Sequence, residues 1–236
     1  MKIATTALFT AIAAILAPVV AQAAERFYAG VAVGVTSVSS DYAQQVVNAR
    51  TSDPGGPPTD VTLGGDNRTA VRLFAGLRIT PNLAVEADYA DLGTLKGHAM
   101  WHGVDPFFQF ERFTRVEARA AGLSLVGSVP LASRLELFAR AGAAYAWVDY
   151  DTHGNAFIRN PGGGGVTSFP SPKPPNLSGN GTVGLLALGL EHRFTDRWSV
   201  RAEWARYFDV GRGYELIGER GKFDLDVASV GLAWRF

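Results

Sequence analysis

Cysteine is absent from the 236 residues. Its absence excludes disulfide stapling, thiolate metal sites and a lipid-bearing N-terminal cysteine. An excess of charge is also lacking, since 22 Lys plus Arg balance 22 Asp plus Glu. A balanced chain argues against nucleic acid as a partner, because phosphate recognition leaves a basic footprint. Histidine is scarce, with four residues in all. After Val20 no apolar run approaches the ~18 residues a spanning helix needs, and mean hydropathy is only +0.06. The Gly162–Gly165 run lacks the lysine and the strand–helix setting of a phosphate loop, and it reads as linker.

The N-terminus and the last strand carry the positive signals. Lys2 is the only charge before Glu25, an apolar run extends from Ile3 to Val20, and Ala21-Gln22-Ala23 places small residues at a cleavage site. Residues 1–23 are expected to be a secretory signal that is removed after export by the general secretory route. Residues 24–236 are then expected to form one large all-β domain. At the other end, Ala228, Val230, Leu232, Trp234 and Phe236 fall on one side of an extended strand, with Ser229, Gly231, Ala233 and Arg235 on the other. A strand that closes a barrel in lipid can keep Trp234 and Phe236 at the membrane–water boundary.

The same alternation recurs along the chain. Strands are predicted at 27–37, 69–79, 83–90, up to 129, 135–148, about 183–193, 198–205 and at the end of the chain. Short turns fall at Thr80-Pro81-Asn82, at 130–134 and at Thr195-Asp196-Arg197. Long connections are predicted at 39–68, 91–111, 149–181 and 208–222. Strict alternation of three turns with four long loops requires eight antiparallel strands, an up-and-down transmembrane β-barrel with both ends in the periplasm. The strand before the second turn is ambiguous, because Arg115, Glu117 and Arg119 share parity with the apolar Leu123 and Leu125. A bulge, or a strand protruding above the membrane, would account for it.

The non-lipid face is predicted to carry Arg72, Arg78, Arg140, Arg193, Arg201 and Arg235 with Glu86, Asp88, Glu136, Glu191 and Glu203. An eight-stranded barrel is only wide enough for side chains to fill, so these groups are expected to pair with one another and with trapped water. A charge-selective pore would show an excess of one sign.

Tyr28-Ala29-Gly30, the Thr80-Pro81-Asn82 turn with Glu86, the segment Leu137-Phe138-Ala139-Arg140-Ala141-Gly142, Gly189-Leu190-Glu191, Arg201-Ala202-Glu203 and Trp234-Arg235-Phe236 occur in an order that resembles the OmpA-type eight-stranded outer-membrane β-barrel domain. The resemblance spans residues 25–236. It implies a Gram-negative outer-membrane location, a lumen network at Glu86, Arg140, Glu191, Arg201 and Glu203, and a terminal aromatic signal, Trp234 with Phe236, read by the barrel-assembly machinery. The family's inward lysine of strand four has no match, since Ser124, Val126 and Ser128 hold that face, so a gate-like ion-pair switch is not implied. The peptidoglycan-binding domain of longer relatives is expected to be missing.

Chemistry is sparsely signalled. His192 shares parity with lipid-facing Leu190, His153 falls in the third connection, and no serine–histidine–acid spacing suggests a nucleophile. His98, His102 and Asp105 read as solvated loop residues, so no metal and no cofactor is expected. Trp101, Phe107, Phe108, Phe110 and Phe113 crowd the second connection. They form a candidate surface-binding loop, unless they merely extend the strands or pack against lipopolysaccharide. Arg206 is expected to meet lipid phosphates at the outer rim.

The expected protein is therefore not an enzyme. It is a monomeric barrel with a structural or cell-surface interaction role, in adhesion or envelope integrity. Its partners would be outer-membrane lipid and lipopolysaccharide, the assembly machinery and a host or surface ligand. A narrow low-conductance porin-like channel is the alternative, and a lipid A-modifying enzyme a distant one.

Overall fold

The computed structural model describes residues 26–38, 60–63, 69–102, 108–159, 165–170, 177–211, 215–216, 219–220 and 223–236. The expected signal segment 1–23 lies outside them. Among the described residues twelve strands follow in chain order: β1 (Phe27–Val38), β2 (Asp60–Leu63), β3 (Thr69–Thr80), β4 (Leu83–His102), β5 (Phe108–Ala132), β6 (Leu135–Arg159), β7 (Val166–Pro170), β8 (Leu177–Arg193), β9 (Trp198–Val210), β10 (Glu215–Leu216), β11 (Glu219–Arg220) and β12 (Phe223–Arg235). Eight of them, β1, β3, β4, β5, β6, β8, β9 and β12, pair antiparallel with their neighbours, and β1 against β12 closes the ring. Strand β2 adds to β4 and β7 to β6, while β10 and β11 form a minimal hairpin.

Period-two alternation sets which face is which. Val31, Val33 and Val35 of β1, Leu123 and Leu125 of β5, and Leu186, Leu188 and Leu190 of β8 are exposed on the outer wall. Their neighbours in sequence point into the lumen, as a strand's pleat requires. The short turns hold together by local bonds. Thr195 Oγ1 accepts from the amides of Arg197 at 3.3 Å and Trp198 at 2.9 Å, and Asn82 Nδ2 donates to the Ser128 carbonyl at 2.8 Å. At the closing seam the Phe236 amide donates to the Phe27 carbonyl at 3.1 Å.

Two of the expected long connections are corrected. Most of 91–111 is strand, because β4 runs on to His102 and β5 begins at Phe108; much of 149–181 is strand too, because β6 reaches Arg159 and β8 begins at Leu177. Lipid-facing apolarity ends where the membrane ends, but the backbone ladder does not need lipid to continue. The ambiguity at Arg115, Glu117 and Arg119 resolves as protrusion. The β5–β6 register is unbroken from Phe108 to Pro130, and Arg115 and Arg119 are exposed. The bulge sits instead on β4, where the register against β5 shifts between Asp91 and Thr94. Gly93 there adopts φ 81°, a left-handed conformation glycine takes without cost, and its amide donates to Asp91 Oδ1 at 2.9 Å.

Candidate functional site

The eleven charges predicted for the lumen face meet there in two tiers. In the upper tier, Glu86 on β4 accepts from Arg201 at 2.7 Å and lies 3.4 Å from Arg140 and 3.7 Å from Arg72. Arg140 donates to Asp88 at 2.7 Å and to Glu203 at 2.9 Å, and Arg72 donates to Glu203 at 2.8 Å. In the lower tier, Glu136 receives Arg78 at 3.1 Å and Arg193 at 2.8 Å, while Arg235 donates to Glu191. Arg201 Nε, 3.5 Å from Glu191, links the tiers. Every predicted lumen residue is therefore placed in one network. Three bases and three acids cancel in the upper tier, so burial there costs no uncompensated charge.

Sequence reasoning missed the aromatic half of this plug. Tyr28 donates its hydroxyl to Glu86 at 2.9 Å. The Arg201 guanidinium lies 4.2 Å from the Phe138 ring centre, 5.0 Å from Phe74 and 5.8 Å from Tyr28, and Arg72 sits 4.6 Å over Phe74. Rings hold a guanidinium by its π-face, which suits arginine more than lysine. The inward parity of Tyr28, Phe74 and Phe138 with the charges was visible, and so were the glycines opposite them. A Cβ on Gly76 would collide with the Tyr28 ring and one on Gly30 with Phe74. Arg201 also lines a cavity of about 20 Å³ near the periplasmic mouth, and Arg72 and Glu203 line one of about 10 Å³. Both are of the size that holds a single water.

Above the charges the lumen is apolar. Leu92, Val116, Ala118, Val148, Val183, Leu185, Tyr207, Val210, Phe223 and Leu225 form one buried cluster drawn from β4, β5, β6, β8, β9 and β12. Thr36 adds a hydroxyl bonded to the Leu92 carbonyl at 2.8 Å. On the outside of this level the chain turns polar, with Asp91, Arg115, Arg119 and Asp149 exposed. Arg115 pairs with Glu117 at 2.7 Å. Arg206, expected at the outer rim, makes two 2.7 Å bonds to Asp226 of the neighbouring strand and lies 5.4 Å from the Trp204 ring centre.

The candidate surface loop is corrected in part, because Trp101 lies in β4 and Phe108 and Phe110 lie in β5. Trp101 stands opposite Phe110, which stands opposite Ala156, which stands opposite Phe169. Phe108 stands opposite Ile158 one row higher, and both are exposed. Phe113 belongs to the other face, where it stacks on His98 and His153. Phe107 and Asp105 lie outside the described residues. His192 is exposed on the outer wall. Among the described residues no three His, Asp or Glu converge as metal ligands. At the periplasmic boundary Trp234 packs edge-on against Trp198 at 4.6 Å, Arg197 lies 5.6 Å from its ring centre, and Phe236 is exposed.

An apolar outer wall, a filled polar lumen and boundary aromatics define a transmembrane barrel. The chain belongs to the outer membrane protein beta-barrel domain family, which it matches over residues 6–236. It is accordingly a protein of the Gram-negative outer membrane. No curated protein matches it. Solved structures similar to it include the N-terminal β-barrel domain of Pseudomonas aeruginosa OprF, at 13% identity, covering 90% of this chain and 98% of that one with TM-score 0.45. Ail, the attachment invasion locus protein of Yersinia pestis, in complex with the heparin analogue sucrose octasulfate, is similar at 11% identity, with 89% and 99% coverage and TM-score 0.39. The outer membrane protease OmpT of Escherichia coli is similar at 11% identity, with 90% and 96% coverage and TM-score 0.46.

Proposed function

We propose that this barrel is a closed membrane anchor whose role is played at the cell surface, in adhesion or in holding the envelope together. The observation that supports this most is the filling of the lumen by a neutral ion-pair tier below and an apolar cluster above, while β4, β5 and β6 continue beyond the membrane. Strands built past the wall raise a sheet with Phe108, Phe110 and Ile158 on one face into reach of a ligand. The partners of this reading are outer-membrane lipid, lipopolysaccharide and a surface ligand. Trp234 and Phe236 serve as the signal for the assembly machinery, and residues 1–23 as the export signal.

The protein acts without catalysis in this proposal. His98 is bonded to Glu111, His153 stacks on Phe113, and His192 faces outward. A narrow channel is the rival reading, favoured by the polar lower lumen. Deleting residues 101–110 should leave the heat-modifiable barrel intact while lowering adhesion of expressing cells or their resistance to detergent. Undiminished adhesion together with undiminished detergent resistance would refute the surface role.

A further inference from the structure

Three rings form a column across the protruding sheet. The imidazole of His98 on β4 lies 4.7 Å from the Phe113 ring at 24° between planes, and the imidazole of His153 on β6 lies 5.4 Å from its other side at 20°. The three residues are opposite one another in the ladder, His98 to Phe113 to His153. The bulge at Asp91–Thr94 makes this alignment. It reverses the parity of β4 above it, turning His98 onto the outward face that Phe113 and His153 share. Glu111, one row higher on β5, meets His98 Nε2 at 2.7 Å.

We propose that this column is an acid-sensitive clamp that tightens the β4–β5–β6 extension when both histidines take up a proton. The proposal rests on the surface role argued above and concerns how that surface is regulated. A neutral imidazole stacks on phenylalanine only weakly. An imidazolium is drawn to the π-face of the ring, and Phe113 offers one face to each histidine. The His98–Glu111 bond becomes a bond between charges, which is shorter and stronger than a neutral one. Lys96 on β4 and Arg115 on β5 lie one row below, and Arg115 is occupied by Glu117. Asp151 of β6 shares that row, Glu111 stands above, and Asp60 of β2 is in register with Met100 two residues from His98. Histidine is the side chain whose charge changes between about pH 5 and 8. In this proposal the extension is looser at neutral pH and tighter in acid.

Hydrogen–deuterium exchange of the refolded full chain in lipid nanodiscs, corrected for the intrinsic pH dependence of amide exchange, tests this directly. Protection of amides in 96–100, 111–115 and 151–155 should rise about tenfold between pH 7.5 and 5.5, from two cation–ring contacts and one charged bond. Amides at 137–141, deep in the wall, should not change. The rise should vanish in Phe113→Leu and in His98→Gln/His153→Gln, each first shown to be folded by its heat-modifiable migration. A pH-independent protection pattern, or an unchanged rise in those variants, would overturn the clamp. The surface role would stand or fall separately, by the deletion of 101–110.

Discussion

The lower and upper parts of the same barrel are built inside out with respect to each other. Near the periplasm the wall presents Leu123, Leu125, Leu188 and Val230 outward and encloses Glu86, Arg140 and Arg201. Above the outer aromatics Tyr145, Trp147 and Trp204, the wall presents Arg115, Arg119 and Asp149 outward and encloses Val148, Tyr207 and Leu225. One continuous strand, β5, takes part in both arrangements without changing parity. The difference teaches that the pleat fixes only which residues share a face, while the surrounding solvent decides which chemistry that face must carry. In lipid the lumen is the polar compartment. In water it becomes an ordinary hydrophobic core.

The comparison can be broken most severely in the upper tier of lumen charges. Arg140→Met strands Glu86, Asp88 and Glu203 without their shared cation and should cost about 3–5 kcal/mol, read as a lowered urea midpoint in refolding vesicles. In the upper compartment Leu225→Ala removes a fully buried side chain and should cost about 2–5 kcal/mol by the same assay. The two outer faces of β5 give the sharpest contrast. Leu125→Arg places a charge in lipid and should cost about 2–4 kcal/mol, whereas Arg119→Leu, a few residues along the same face, should stay within about 0.5 kcal/mol. If both substitutions cost alike, the change of environment along β5 is wrong. Arg206→Gln should lower the midpoint only slightly, because the Arg206–Asp226 pair is only partly buried at the rim.

Much of this was legible before the fold was known. Alternation and turn spacing gave the eight strands, and parity put all eleven lumen charges on the inward face, where they pair. Parity could not say where the membrane stops. Val116, Ala118 and Ala120 continue the inward phase of Ser124 and Val126, so nothing local distinguishes a lumen plug from a core. For the same reason the alternation ends each strand at the last lipid-facing residue and leaves Trp101, Phe108 and Phe110 in a connection. The His98–Phe113–His153 column was hidden by the bulge at Gly93, which shifts β4 by one residue and is marked in sequence only by an Asp-Leu-Gly-Thr segment. The partner of Arg206 depended on the register of β9 against β12, a long-range pairing that no local pattern encodes.

Conductance across a planar bilayer tests the central claim most directly. With the full chain refolded into the membrane and its barrel verified by heat-modifiable migration, the two stacked fillings of the lumen predict no long-lived channels, at either polarity and at high or low salt. Stable open channels of large conductance would show that the lumen is a passage, and would contradict the account of a closed anchor.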